Sequence, residues 1–380
     1  MPRPKYHGGL VMRCSAPWVA IRQDENGSVV PCSTYFNRFK NVKIGETHKN
    51  LQEFFDGKEY YNFRMRMVTN EDIPGCIECK VDAKNGNPSH RDYWNEKYPH
   101  VVTPSIRELE LCLSNKCNFQ CIMCNSHFSQ NWYDDDIALN NIGVDKVGQI
   151  SPQKHLTSPY DLFNVNLENL TLLRILGGEP LIEDNFLKVF KVLEDQKIIQ
   201  NVELFINTNN SVFPNKKWQY YLPKFKKISL VLSIDSIGKL GEWNRRGLNI
   251  KDFKINSAKW MNYTTNISYN SVIHNFSILG LNDLINWIDL PIHYGMEGEN
   301  HALDLILKPH YLSILHLPDI TKELISNKLD KKLDKVSEFM FSEKNNPEYT
   351  NQYIKFYKYF QKWGMPKECQ TIYDSVCETY

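Results

Sequence analysis

A chain of 380 residues with 42% hydrophobic and 23% charged residues has an ordinary globular composition and can bury a core large enough for two or three domains. Its 45 basic and 44 acidic residues leave a net charge of +1, so neither nucleic acid nor an anionic membrane is expected as a partner. No apolar run approaches the roughly 20 residues that span a bilayer. The opening residues Met1 to Gly9 lack the apolar heart of a signal peptide, and the expected setting is soluble, cytoplasmic and reducing. Ten cysteines are too few for a disulfide scaffold of this length. Eight of them precede residue 125, a clustering that suggests metal ligation.

In chain order, residues 10 to 32 read as a β-hairpin. Trp18-Val19-Ala20-Ile21 is followed by the turn Asp24-Glu25-Asn26-Gly27 and the return Ser28-Val29-Val30-Pro31. Cys14 precedes the hairpin and Cys32 ends it, so both sulfurs can reach one side. After Ile44-Gly45-Glu46 a helix is expected, capped near Asn50 with Leu51, Phe54 and Phe55 on its apolar face. Ile73-Pro74-Gly75 then turns into the C-x2-C pair Cys76 and Cys79. Cys14, Cys32, Cys76 and Cys79 make a four-thiolate set that would close a coordination sphere around zinc or an iron–sulfur cluster. Residues 80 to 104, with Asn85-Gly86-Asn87-Pro88 and Tyr98-Pro99-His100, are rich in turn residues and read as a linker.

From residue 105 short β-rich runs alternate with longer helix-compatible stretches. The expected strands are Glu108–Leu113, Leu172–Leu176, Val202–Asn207, Ile228–Ile234, Ile267–Ile273 and Leu303–Leu307, nearly continuous in apolar residues, as in parallel strands buried on both faces. Six such units imply a parallel α/β fold and, if they curl, an incomplete barrel of six strands rather than eight. The stretch between Cys124 and Leu172 is long, and Ser151-Pro152 through Ser158-Pro159 reads as a surface excursion. Residues 316 to 380 show helical apolar spacing around Ile320–Phe339 and Tyr353–Trp363, with Cys369 and Cys377 read as free thiols.

Polar chemistry gathers at the expected strand ends. Cys117, Cys121 and Cys124, spaced C-x3-C-x2-C, follow the first strand; three thiolates would leave one iron of a [4Fe–4S] cube open, whereas a zinc knuckle would borrow a fourth ligand such as Cys112, His127 or a distant residue. The second strand leads into Gly177-Gly178-Glu179-Pro180, the third into Asn207-Thr208-Asn209-Asn210 and the fourth into Ser233-Ile234-Asp235-Ser236. The fifth contains Tyr269-Asn270-Ser271, and the sixth leads to Lys308-Pro309-His310. In parallel α/β folds, groups at the carboxyl ends of strands face a common pocket.

The cysteine loop and the Gly-Gly-Glu-Pro turn, in this order on successive strands, resemble the signature of the radical S-adenosylmethionine enzymes over residues 105 to 315. Gly27-x4-Cys32, with Cys14 before it and the C-x2-C pair after it, is similar to their twitch or SPASM-type auxiliary-cluster module, which usually follows the barrel and here precedes it. The resemblance implies an incomplete (β/α)6 barrel over 105–315, a twitch-like hairpin and helix module with linker over 1–104, and a helical segment over 316–380. It implies that Cys117, Cys121 and Cys124 hold a [4Fe–4S] cluster whose fourth iron takes S-adenosylmethionine, and that Cys14, Cys32, Cys76 and Cys79 hold an auxiliary iron–sulfur cluster, expected to be [4Fe–4S].

The same resemblance assigns Gly177, Gly178 and Glu179 to the methionine portion of the cofactor, with Glu179 accepting from its ammonium group. Met123 stands where the family usually has an aromatic residue against the adenine. Ser233 matches a ribose- or carboxylate-binding position, Arg245 a cofactor-carboxylate arginine with Arg246 as its neighbouring candidate, and Asn207 and Asp235 complete the set. The implied activity is reductive cleavage to a 5′-deoxyadenosyl radical that abstracts hydrogen from a substrate, with an external one-electron reductant. The substrate would be a peptide or protein, or alternatively a sugar or nucleoside-like metabolite. A non-enzymatic zinc protein is the competing reading, and it leaves the Gly-Gly-Glu-Pro turn and the polar strand ends unexplained.

Overall fold

The computed structural model describes residues 14–35, 50–69, 71–84, 89–144, 162, 164–294 and 300–379. Ile44-Gly45-Glu46, Asn85-Gly86-Asn87-Pro88 and the Ser151 to Pro159 stretch lie outside them.

Eleven strands are present among the described residues: β1 (Ala20–Gln23), β2 (Val29–Val30), β3 (Glu108–Cys112), β4 (Gln120–Cys121), β5 (Leu172–Leu176), β6 (Glu203–Thr208), β7 (Lys227–Ser233), β8 (Arg245–Arg246), β9 (Ile267–Ile273), β10 (Ile292–Tyr294) and β11 (His301–Leu305). The six expected strands are β3, β5, β6, β7, β9 and β11, which lie side by side in that order and are parallel throughout. Intervening helices such as Asn185–Asp195 and Ile250–Trp260 supply right-sized crossovers for parallel neighbours.

The sheet is wider than the sequence suggested: nine strands in the order β10-β11-β9-β7-β6-β5-β3-β1-β2. β1 pairs in parallel with β3 and antiparallel with β2, so the amino-terminal hairpin continues the parallel sheet instead of standing apart. The expected strand at Trp18-Val19 is a helical turn, Ala16–Val19, and pairing starts at Ala20. Gly27, at φ +79°, closes the hairpin turn in the left-handed region, where glycine has no steric cost.

The region read as a linker is largely helical, with helices Ile77–Lys84 and His90–Lys97. The second starts with a capping box in which Ser89 and Asp92 bond reciprocally, a signal the sequence carries as Ser-x-x-Asp. Its Trp94 and the following Tyr98 pack with Trp18, Phe63 and Met67 into a small separate core. The helix Leu51–Asp56 forms as expected, with Asn50 Oδ1 accepting from Glu53 N at 2.9 Å. Its Leu51, Phe54 and Phe55, however, join the main core beneath the parallel sheet.

The parallel sheet has two unlike faces. Leu109, Leu111, Leu173, Ile175, Leu204, Ile206, Leu230 and Leu232 belong to the main core. Their alternates on the other face include a small cluster of Leu172, Phe205 and Val231, together with charged and amide side chains. The carboxyl-terminal segment folds as Asp319–Ser326, Asp334–Phe341, Pro347–Phe360 and Lys367–Cys377. Cys369 is buried and donates to Phe276 O at 3.8 Å, whereas Cys377 is exposed. No helix is long and apolar enough to cross a membrane among the described residues.

Candidate active site at the carboxyl ends of the strands

The cysteine loop leaves β3 and is held on every side. β4, which carries Cys121, pairs antiparallel with β8, opposing Cys121 to Arg245 and Gln120 to Arg246. Ile122 N donates to Asn244 O at 2.8 Å, Trp132 Nε1 to Cys121 O at 3.0 Å and Ser129 Oγ to Phe119 O at 2.6 Å. These bonds satisfy the loop's backbone and fix where its sulfurs stand. Gly247, at φ +111°, permits the contact, because a Cβ there would lie 2.6 Å from the Phe119 ring.

The Gly-Gly-Glu turn is joined to the same loop. Gly178 N donates to Ser114 O at 3.0 Å and Glu179 N to Lys116 O at 2.8 Å. A Cβ on Gly177 would stand 2.7 Å from Ser114 O, and one on Gly178 only 2.1 Å from Lys116 O. The glycines therefore admit the backbone that leads into Cys117, a different demand from the cofactor approach expected of them.

Glu179 is buried and accepts from Leu181 N at 3.1 Å, Thr208 Oγ1 at 2.6 Å and Asn209 N at 2.7 Å. Burial pushes its carboxyl up to about 6 despite those donors. A desolvated carboxyl so placed fits a ligand ammonium. Thr208 and Asn209 were missed by the sequence reading, which chose Asn207 from the same polar strand end. Asn209 also bridges to the loop, its Nδ2 donating to Asn118 Oδ1 at 3.0 Å and standing 4.0 Å from the Cys117 sulfur. Asn207 instead accepts from Ser233 Oγ at 2.8 Å, and both project from the inner face of the sheet.

Arg245 is buried with its Nη1 3.9 Å from the Cys121 sulfur. Its Nη2 donates to Asp235 Oδ1 and its Nε lies against Oδ2, both at 2.8 Å. Asp235 is thus the partner of Arg245, and its Oδ1 also accepts from Val272 N at 2.9 Å. Arg246 points elsewhere, with its guanidinium carbon 3.6 Å from the Trp363 ring centroid. Met123 packs against the main core at the loop.

Burial drives the thiols of Cys117 and Cys121 up, Cys117 to about 12, and their neighbours in the triad add repulsion between thiolates. Such a set suits an electropositive metal centre that holds the thiolates deprotonated. The two fourth ligands named for a zinc knuckle have other partners. Cys112 Sγ accepts from Arg22 Nη2 at 3.4 Å, and His127 Nδ1 lies 3.1 Å from Glu25.

Cys14, Cys32, Cys76 and Cys79 line one cavity in the amino-terminal module, with Tyr35 and Trp94 among its walls. Burial raises the Cys14 thiol, and Cys32, Cys79 and Cys76 reinforce it; burial likewise takes Cys32 to about 12. Gly75 is needed here because a Cβ would meet the Tyr35 ring at 2.3 Å. Four thiols lining one cavity supply the donor set of a fully ligated cluster.

The family model of an iron–sulfur cluster-binding domain, SPASM, matches residues 14–80, the span of all four of these cysteines. The radical SAM cyclopropyl synthase TigE of Paramaledivibacter caminithermalis is 22% identical over 298 residues, 76% of this chain and 57% of that protein. The GTP 3′,8-cyclase of Campylobacter lari is 25% identical over 190 residues, 49% of this chain and 51% of that protein. The crystal structure of Streptococcus suis SuiB superposes with a TM-score of 0.36 at 15% identity, over 88% of this chain and 72% of that one. The chain spans a little over half the length of the curated relatives it matches, 57% and 51%. With the loop, the glutamate turn and the four-cysteine cavity in place, the chain is similar to radical S-adenosylmethionine enzymes and its residues 14–80 match a SPASM-type module, a likeness that supports a [4Fe–4S] cluster, S-adenosylmethionine and an auxiliary iron–sulfur cluster as its cofactors.

Proposed function

We propose that this chain is a radical S-adenosylmethionine enzyme that removes a hydrogen atom from an unreactive carbon of a peptide or protein. The observation that carries the reading is the joining of the Cys117 loop to the Glu179 turn through Gly178 N and Glu179 N, beside Arg245. Cys117, Cys121 and Cys124 would hold the cluster, Glu179 would take the cofactor's ammonium, and Arg245 would supply positive charge beside Cys121. The chemistry these groups supply when bound is one-electron cleavage of the sulfonium and hydrogen abstraction from substrate.

The protein's own part is placement. Thr208 and Asn209 fix the Glu179 carboxylate, Asp235 fixes Arg245, and Ser233 with Asn207 presents polar groups toward the concave face. Four thiolates in the amino-terminal cavity leave no open position for substrate, which supports an electron-conducting or electron-accepting role for that site. Net oxidation or cross-linking of the substrate follows naturally, with an external reductant supplying the first electron. A nucleoside-like substrate is the second reading, favoured by the 25% identity to a GTP 3′,8-cyclase over 190 residues.

Anaerobic purification followed by metal analysis tests the proposal. Two cubane clusters give about eight iron and eight sulfide per chain. Incubation with S-adenosylmethionine and a reductant should yield 5′-deoxyadenosine, and Cys121→Ala should abolish it. Cys14→Ala should stop product formation while sparing some uncoupled cofactor cleavage. Stoichiometric zinc with little iron, or no 5′-deoxyadenosine, would overturn the proposal.

A further inference from the structure

A row of side chains crosses the concave face of the sheet one level below the strand ends. The register aligns Arg22 with Glu110, Glu110 with Arg174, and Arg174 with Phe205. These residues alternate with the main-core leucines and isoleucines, so all four project from the sheet face opposite the main core. Charges in that position need partners, and most have them. Arg22 Nε binds Asp24 Oδ1 at 2.7 Å, its Nη1 binds Glu110, and its Nη2 reaches Cys112 Sγ at 3.4 Å.

Arg174 is the exception. It is half-buried, and its guanidinium carbon lies 4.2 Å from the centroid of the buried Phe205 ring. Among the described residues it donates no hydrogen bond and enters no ion pair. Stacking holds the guanidinium plane on the aromatic shelf and leaves its N–H groups directed at the edge. Glu110, its neighbour in the row, is already taken by Arg22. His90, on the amino-terminal module, lines the four-cysteine cavity and lies within the electrostatic reach of Arg174. Arg174 is thus within reach of a wall residue of the four-cysteine cavity and lies on the strand that leads into the Gly177 turn.

We propose that Arg174, seated on Phe205, is the substrate's anchor and binds a carboxylate. The proposal rests on reading the concave face as the substrate chamber. A planar guanidinium fork matches a carboxylate in a bidentate pair. A phosphate dianion is disfavoured by the adjacent Glu110 and because Arg174 is the one unpaired cation of this row among the described residues. Arg174 lies three residues before Gly177, about 10 Å along an extended strand. A carboxylate held there keeps the reacting carbon several bonds away, toward Cys117. That spacing suits a peptide's terminal or side-chain carboxylate.

The test uses the anaerobically prepared full chain with both clusters and reads phenylglyoxal labelling of Arg174 by peptide mass spectrometry. The probes are N-acetylglycine, its neutral amide N-acetylglycinamide, and inorganic phosphate. N-acetylglycine should slow labelling of Arg174 about threefold at twice its half-saturating concentration, the factor expected for simple occupancy. Labelling of the half-exposed Arg66, which pairs with Glu71 on the amino-terminal module, should not change. The amide and phosphate should protect little, and in Phe205→Leu the protection by N-acetylglycine should weaken. Equal protection by the amide or by phosphate, or none by the carboxylate, would overturn the anchor. Because wild-type protein gives the main readout, misfolding of a variant does not blur the result. The same preparation is assayed for 5′-deoxyadenosine. Protection without 5′-deoxyadenosine would remove the proposed reaction and keep the anchor; 5′-deoxyadenosine without protection would do the reverse.

Discussion

The Arg245 guanidinium donates from Nη2 to Asp235 Oδ1 at 2.8 Å while its Nη1 stands 3.9 Å from the Cys121 sulfur. The aspartate thereby aims the arginine at the cluster loop. Both side chains are buried, so removing the carboxylate leaves an uncompensated charge. Asp235→Asn should destabilise the protein by about 3–5 kcal/mol in denaturant unfolding. The double variant Asp235→Asn/Arg245→Gln should recover part of that loss, since no buried charge remains. Both should bind S-adenosylmethionine more weakly. If the double variant is as unstable as the sum of the singles, the pair is not the coupled unit described.

Gly178 offers a separable test of the loop. An alanine Cβ would stand 2.1 Å from Lys116 O and 2.5 Å from Lys116 C, backbone atoms that cannot yield without moving Cys117. Gly178→Ala should lose the cluster of the three-cysteine loop and keep that of the amino-terminal module. Iron would fall from about eight to about four per chain. The circular dichroism spectrum should stay near wild type. Retention of all the iron would show that the loop tolerates the displacement.

Much of this arrangement was legible in the sequence, and the failures share a physical cause. The six apolar runs became six adjacent parallel strands because short, nearly continuous apolar runs separated by helix-length stretches leave a strong compositional signal. The joining of Ala20–Gln23 to Glu108–Cys112 was invisible, since parallel pairing between segments so far apart leaves no local trace. Ser89 and Asp92 did advertise a helix start, and the turn-rich residues around them masked it. Glu110 and Arg174 were readable as charges inside otherwise apolar strands. Only the register shows that they share a row, and only packing shows that Arg22 takes Glu110 and leaves Arg174 without an ion pair among the described residues. Choosing Thr208 and Asn209 over Asn207 likewise depended on which side chains face Glu179.

The acidity of Glu179 sets a pH dependence. Burial raises its carboxyl from 4.5 to about 6 in the cofactor-free protein, so the buried group prefers its neutral form. For folding, that contributes stability which is complete below about 4.5 and is lost as pH rises through about 6. Binding an ammonium group has the opposite sign, because the ionised carboxylate is the form that attracts it. Affinity for S-adenosylmethionine should therefore fall as pH drops below about 6, approaching tenfold per unit. Equilibrium dialysis of the cluster-loaded protein would measure it. Glu179→Gln should bind weakly and lose this dependence; an unchanged profile in that variant would assign the titration to another group.

The carboxyl-terminal helices brace the cluster loop from outside. Trp363 carries the Arg246 guanidinium at 3.6 Å, and Arg246 pairs through β8 with Gln120, the residue before Cys121. Tyr359 Oη donates to Asp135 Oδ1 at 2.6 Å, and Asp135 in turn accepts from Gln120 Nε2. Phe360 meets Trp132, whose indole donates to Cys121 O at 3.0 Å. Trp363→Ala should cost only about 1–2 kcal/mol of global stability, the scale of one cation–π contact and partly buried packing. Its larger effect should be local: faster amide hydrogen exchange at residues 119 to 122, and quicker iron loss to a chelator from the Cys117 loop than from the four-cysteine cavity. Restoring an aromatic face with Trp363→Phe should return most of the protection. Unchanged exchange at residues 119 to 122 in Trp363→Ala would mean that β4 holds its place without the tail.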